Sequence, residues 1–104
     1  MDNNKRRHKF DIIAEILKHS TNGTKKTQLV YSSNINFNIL NKYLEPLMAR
    51  GFIELSGGLY YTTPAGFEFL YMYDALMNVW KNGEYKNYAE EMRAIPKIVE
   101  SEGG

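Results

Sequence analysis

The sequence predicts an α+β fold, mostly α: three short helices, a two-stranded hairpin and a long final helix. Three observations predict it. Apolar residues recur at helical spacing in three segments before residue 51. The stop Arg50-Gly51 is followed by two short runs of strand formers, Phe52-Ile53-Glu54-Leu55 and Leu59-Tyr60-Tyr61-Thr62, separated by Ser56-Gly57-Gly58. Thr63-Pro64-Ala65-Gly66 then reads as a capped helix start, with Thr63 as N-cap and Pro64 at the first helical position.

Each element has its own signature. Residues 1–7, with Lys5, Arg6 and Arg7, form a basic arm. From Lys9 to His19 the apolar positions Phe10, Ile12, Ile13, Ile16 and Leu17 repeat at helical spacing, and Asn22-Gly23 is the expected stop. Thr24 is the expected cap of a second helix over residues 25–32, anchored by Leu29 and Val30. After the turn Ser33-Asn34-Ile35, Asn36 caps a third helix that ends at Gly51. Its expected core stripe is Phe37, Leu40, Leu44, Leu47 and Met48. The opposite face holds Asn38, Ile39, Asn41, Lys42 and Glu45. Pro46 removes one backbone bond inside this helix and predicts a mild kink. The fourth helix spans 64–82, roughly 28 Å at the standard rise, and Gly83 ends it. A further helix is expected over 84–95, closed by Pro96, with a frayed tail after it.

This order is that of a winged helix-turn-helix, a three-helix core plus a two-stranded wing, extended by a long C-terminal helix. The expected organisation is an arm at 1–7, the winged helix-turn-helix at 8–63, a dimerisation helix at 64–82, and a short helix with tail at 83–104. The fourth helix is too apolar for a free surface element. Leu70, Tyr73, Met77 and Trp80 form one stripe, and Phe69, Met72, Leu76 and Val79 a second. One stripe covers the core; the other calls for a second copy about a two-fold axis. Phe69, Leu70, Tyr73, Leu76, Met77 and Trp80 are the expected dimer contacts.

Composition narrows the chemistry. The chain has no cysteine, which removes disulfides, thiolate zinc sites and cysteine nucleophiles together and fits an intracellular protein; for a nucleic-acid reader the expected location is cytoplasmic and nucleoid-associated. No apolar run approaches the roughly 20 residues of a membrane span. Net charge is only +1, yet residues 1–52 carry nine Lys/Arg against four Asp/Glu, and residues 53–104 four against eight. A basic front and an acidic back suit a nucleic-acid reader whose far end does something else. There is no nucleophile elbow, no phosphate-binding Gly loop and no pair of catalytic carboxylates, so neither an enzyme nor a cofactor or small-molecule substrate is expected. Asp11 and Glu15, one turn apart, and the isolated His8 and His19 read as solvated or helix-end residues, not metal ligands.

Four stretches carry a resemblance: Lys26-Thr27-Gln28-Leu29-Val30-Tyr31, Leu40-Asn41-Lys42-Tyr43-Leu44-Glu45-Pro46-Leu47, Gly51-Phe52-Ile53-Glu54, and Tyr61-Thr62-Thr63-Pro64-Ala65-Gly66-Phe67-Glu68-Phe69-Leu70. Over about residues 7 to 75 the chain resembles archaeal winged-helix proteins, the small dimeric Sulfolobus ten-a DNA-binding proteins and related archaeal transcriptional regulators. The resemblance implies a DNA-binding dimer joined through the C-terminal helix as a coiled coil, acting in transcription control or chromosome organisation. Two features depart from it. The wing loop is short and carries no Lys or Arg, and the last helix is interrupted near Gly83.

The expected partner is double-stranded DNA. Lys25, Lys26 and Thr27, at the start of the second helix, are phosphate contacts, joined by Lys5, Arg6 and Arg7 of the arm. On the third helix Asn36, Asn38, Ile39, Asn41 and Lys42 face the bases: amides suit adenine edges, Lys suits guanine, and an apolar Ile suits a thymine methyl. Tyr31 and Tyr43 read as core or rim packing. A near-neutral charge favours a site-selective regulator over a chromatin coat. A winged helix that binds only protein is the reading from another class, supported by the bare wing and the aromatic, acidic second half.

Overall fold

The computed structural model of the protein describes residues 8–83. The elements run α1 (Lys9–His19), α2 (Lys26–Ser33), α3 (Phe37–Ala49), β1 (Ile53–Ser56), β2 (Leu59–Thr62) and α4 (Pro64–Asn82). This is a winged helix with a long C-terminal helix. The arm residues Lys5, Arg6 and Arg7 and the helix expected over 84–95 lie outside the described residues.

Local chemistry sets the element ends. His8 opens α1: its Nδ1 accepts from the Phe10 N–H at 3.1 Å, and the Asp11 carboxylate accepts from the His8 N–H at 3.2 Å. The helix ends at His19, before the expected Asn22-Gly23 stop. Ser20 closes it by donating its hydroxyl to the Ile16 carbonyl at 2.7 Å. Asn34 stops α2 with φ of 58°, the left-handed conformation that a short amide side chain tolerates. Asn36 caps α3, its Oδ1 accepting from the Ile39 N–H at 2.8 Å. At the other end the Phe52 N–H reaches the Leu47 carbonyl at 2.9 Å and the Gly51 N–H the Met48 carbonyl at 3.0 Å, the paired bonds of a Schellman stop. α3 runs through Pro46 without interruption.

Two expectations at this level are corrected. Thr24 does not cap α2; Lys25 occupies that position and makes no side-chain cap bond. The Thr24 backbone instead exchanges two bonds with Tyr60, at 3.1 and 2.8 Å, adding a bridge beside β2. The apolar seam of α3 is also narrower than expected. Leu40, Leu44 and Leu47 are buried, while Phe37 and Met48 stand at the exposed edge.

The hairpin pairs Ile53 with Thr62 and Ser56 with Leu59, leaving Gly57 and Gly58 as a two-residue loop. Both glycines have positive φ, 58° and 83°, as a type I′ turn demands. At the wing root Thr62 donates its hydroxyl to the Leu17 carbonyl at 2.6 Å and its N–H to the Ser20 carbonyl at 3.0 Å. The core gathers Ile16 and Leu17 of α1, Leu29 of α2, the α3 leucines, Ile53 and Tyr60 of the hairpin, and Leu70 of α4.

α4 begins as the sequence predicts. Thr63 Oγ1 accepts from the Gly66 N–H at 3.1 Å and donates to the Gly51 carbonyl. Gly66 is required by proximity: a β-carbon there would lie 2.4 Å from the Phe52 carbonyl oxygen. The described residues divide into two units, with the boundary between Tyr73 and Asp74. In the first, Leu70 is 8% exposed, Phe69 and Tyr73 pack on the core, and the Tyr73 hydroxyl bonds the Asp11 carboxylate. In the second, the α4 residues Leu76 and Trp80 are 63% and 80% exposed.

Candidate nucleic-acid interface

The helix-turn-helix places two faces side by side. Leu29 and Ser33 turn one side of α2 into the core, which leaves Thr27, Gln28, Tyr31 and Ser32 outward. Burial of Leu40, Leu44 and Leu47 leaves Asn38, Asn41, Lys42, Glu45 and Ala49 outward on α3, all exposed. The faces adjoin. Lys26 and Asn41 line one shallow cleft of about 310 Å³ with Glu45, Met48 and the wing residue Tyr60.

Taken one by one, the expected contact residues separate. Lys25 and Thr27 are exposed and Lys26 half-buried at the start of α2. Asn38, Asn41 and Lys42 are exposed on α3. Ile39, expected to stand out, is half-buried on the flank of α3. Asn36 is exposed, but its Oδ1 is engaged in capping α3, so that oxygen serves the helix first.

Three residues read differently from the sequence. Tyr31, expected in core or rim, is 85% exposed on the same side of α2 as Thr27, one turn away. Tyr31 lies two residues from both Leu29 and Ser33, which turn the other side of α2 into the core, and positions two apart on a helix do not share a face. Tyr43 is half-buried, as expected for rim packing. Arg50 and Lys9 join Lys42 around a second concavity of about 520 Å³. Helical spacing already aligns Lys42, Pro46 and Arg50 on one stripe, so half of this grouping was readable; the approach of Lys9 depends on the tertiary fold.

Two carboxylates of α1 are occupied locally. Asp11 holds the α1 cap and receives the Tyr73 hydroxyl, and Glu15 pairs with His19 at 3.2 Å. Among the described residues, no group of three or more His, Cys, Asp or Glu could hold a metal ion. No described helix is long and apolar enough to cross a membrane.

Charge is uneven over the interface. From Lys25 to Arg50 the two helices carry Lys25, Lys26, Lys42 and Arg50 against Glu45, whereas the wing from Ile53 to Thr62 has Glu54 and no Lys or Arg. Between the two, positive charge is therefore concentrated on α2 and α3, not on the hairpin.

Residues 6–81 match the family model described as a winged helix-turn-helix. The fold is similar to the crystal structure of Sso10a-2, a DNA-binding protein from Sulfolobus solfataricus, with a TM-score of 0.65 and 22% sequence identity. That similarity covers 83% of this chain and 96% of the other. Among curated proteins none matches the chain.

Proposed function

This chain belongs to the winged helix-turn-helix family, and from that premise we propose that it is a homodimeric double-stranded DNA-binding protein acting as a transcriptional regulator. The observation that carries the reading is the continuity of the polar α3 face with the start of α2: Lys26 and Asn41 share one cleft, and Asn38, Asn41 and Lys42 are open to solvent. A likeness in fold to a DNA-binding protein supports it.

Lys25, Lys26 and the Thr27 hydroxyl hold phosphates and fix the register of the protein on the duplex. α3 then lies in the major groove. Asn38 and Asn41 present paired donor and acceptor atoms to adenine N6 and N7, and Lys42 meets guanine O6 and N7. Lys5, Arg6 and Arg7 add phosphate contacts from the arm. Dimerisation uses the exposed apolar side of α4, with Leu76, Met77 and Trp80 at its centre, and sets two half-sites about 34 Å or a multiple apart. Phe69, Leu70 and Tyr73 contribute mainly by packing α4 on its own core.

Gel-shift titration across salt concentrations tests this. Asn41→Ala with Lys42→Ala is expected to lower discrimination between a selected site and random duplex by about tenfold or more. Lys25→Ala with Lys26→Ala is expected to weaken every sequence alike and to reduce the salt slope by roughly two. Unchanged binding in both variants overturns the assignment of this face. A small ratio of specific to random affinity at physiological salt identifies a chromatin-architectural role instead. Absence of any duplex binding at low salt assigns the fold to a protein partner.

A further inference from the structure

The larger concavity of the winged helix lies beside α3, on the flank away from the Lys26–Asn41 cleft, and nothing in the proposed DNA contact uses its interior. Its volume of about 520 Å³ falls in the range of small-molecule sites. Its interior is aromatic and aliphatic. Phe69 is the hub, with ring centroids 5.6 Å from Phe52 and 5.9 Å from Phe10, the latter edge-on. Tyr43 and Pro46 of α3 complete the apolar lining. Three cationic side chains, Lys9, Lys42 and Arg50, also line it, and among the described lining residues none is acidic. All three cations are exposed, while Phe52, Phe69 and Tyr43 are half-buried, so charge sits at the mouth and apolar surface inside.

We propose that this groove binds a small organic anion with a flat apolar body, an aromatic carboxylate being the simplest case, and that occupancy opposes DNA binding through Lys42. The chemistry follows from the lining. A flat ring removes its faces from water against Phe52, Phe69 and Tyr43. A carboxylate satisfies the Arg50 fork and the two ammonium groups, where a cation would be repelled and a neutral body would leave them unmatched. Lys42 is the link: it lines the groove and stands on the outward face of α3. A ligand anion that engages its ammonium withdraws it from the duplex and lowers local positive potential. By linkage, DNA lowers ligand affinity by the same factor. This coupling rests on the DNA reading; the site itself does not.

The test uses the full chain and three probes of one shape: 2-naphthoate, neutral 2-naphthalenemethanol and cationic 2-naphthylmethylammonium. Each is titrated without DNA and followed by amide chemical shifts. Naphthoate is expected to bind at least about tenfold more tightly than the neutral probe, with shifts centred on residues 9–13, 42–50, 52 and 69. Lys9→Gln or Arg50→Gln, at exposed positions, is expected to weaken it about threefold, and the two together about tenfold. With DNA present, naphthoate is expected to raise the apparent Kd for duplex, and Lys42→Gln to abolish that effect.

Equal affinity for all three probes overturns the site, as do shifts centred on Met72, Leu76 and Trp80 of α4. So does an absence of naphthoate binding. Charge-selective binding with no effect on duplex affinity overturns the coupling and leaves the site standing. Failure of duplex binding itself is read separately, in the titration without ligand.

Discussion

Single residues decide where each helix of this protein stops. Asn34 is the only described non-glycine residue with positive φ, and it joins α2 to α3 in the tightest turn of the helix-turn-helix. Asn34→Gly keeps the left-handed conformation available and is expected to change stability by less than about 0.5 kcal/mol. Asn34→Val crowds its branched β-carbon against the following carbonyl and is expected to cost about 2 kcal/mol, read as a lower midpoint in urea. At this scale the sequence was legible where a side chain acts on its own backbone. Asn36 and Thr63 cap the helices that their positions promised, because the bond each makes is two or three residues away. Thr24 has the same chemical capacity but a different fate. Its backbone pairs with Tyr60, a partner brought close only by the fold. Tyr31 was legible too: it lies two residues from the anchor Leu29, and that spacing sets it on the opposite face of α2.

At the level of elements, the boundaries of α3, the hairpin and α4 were readable, since Gly51, Gly57, Gly58, Pro64 and Gly83 punctuate them. How the elements press on one another was not. The join between the hairpin and α4 shows this. Thr63 donates its N–H to the Phe52 carbonyl at 3.0 Å, and that same carbonyl lies against the α-carbon of Gly66. Gly66→Ala would be favourable in an isolated helix, by about 1 kcal/mol. Here the methyl would collide with backbone that cannot swing aside, so a net loss of about 2 kcal/mol is expected, lowering Tm by roughly 10 °C in calorimetry. A rise in Tm would mean that α4 can lift from the hairpin freely. The two apolar stripes of α4 were visible in the sequence as well, but not their division of labour. Leu70 enters the core and Tyr73 bonds Asp11, whereas Leu76 and Trp80 remain exposed.

For the whole molecule, that exposed surface is the feature with the widest reach. Met72, Leu76 and Trp80 are 65%, 63% and 80% exposed, on the side of α4 that a second copy would cover. Leu76→Glu with Trp80→Glu is expected to give monomers in sedimentation while leaving the melting of the winged helix within about 1 °C, since neither side chain belongs to the core. Duplex affinity should fall with it, because two weakly charged half-molecules lose the gain of acting together. A wild-type monomer at micromolar concentration removes the dimer from the account. Under the proposed DNA reading the charge split along the chain assigns phosphate contact to the basic first half, and a wing with no cation leaves α2 and α3 as its described carriers.

The hairpin is moored along its second strand. Thr62 reaches back to Ser20 and Leu17 at the root, and Tyr60, one residue from the Ser56–Leu59 pair that closes the loop, exchanges two bonds with Thr24. The loop at Gly57 and Gly58 has nothing within 4 Å of the positions where side chains would sit. Only those two glycines overhang. The strand beneath them is pinned at Tyr60 and Thr62 to the link between α1 and α2, so a shift of that link would carry the wing with it.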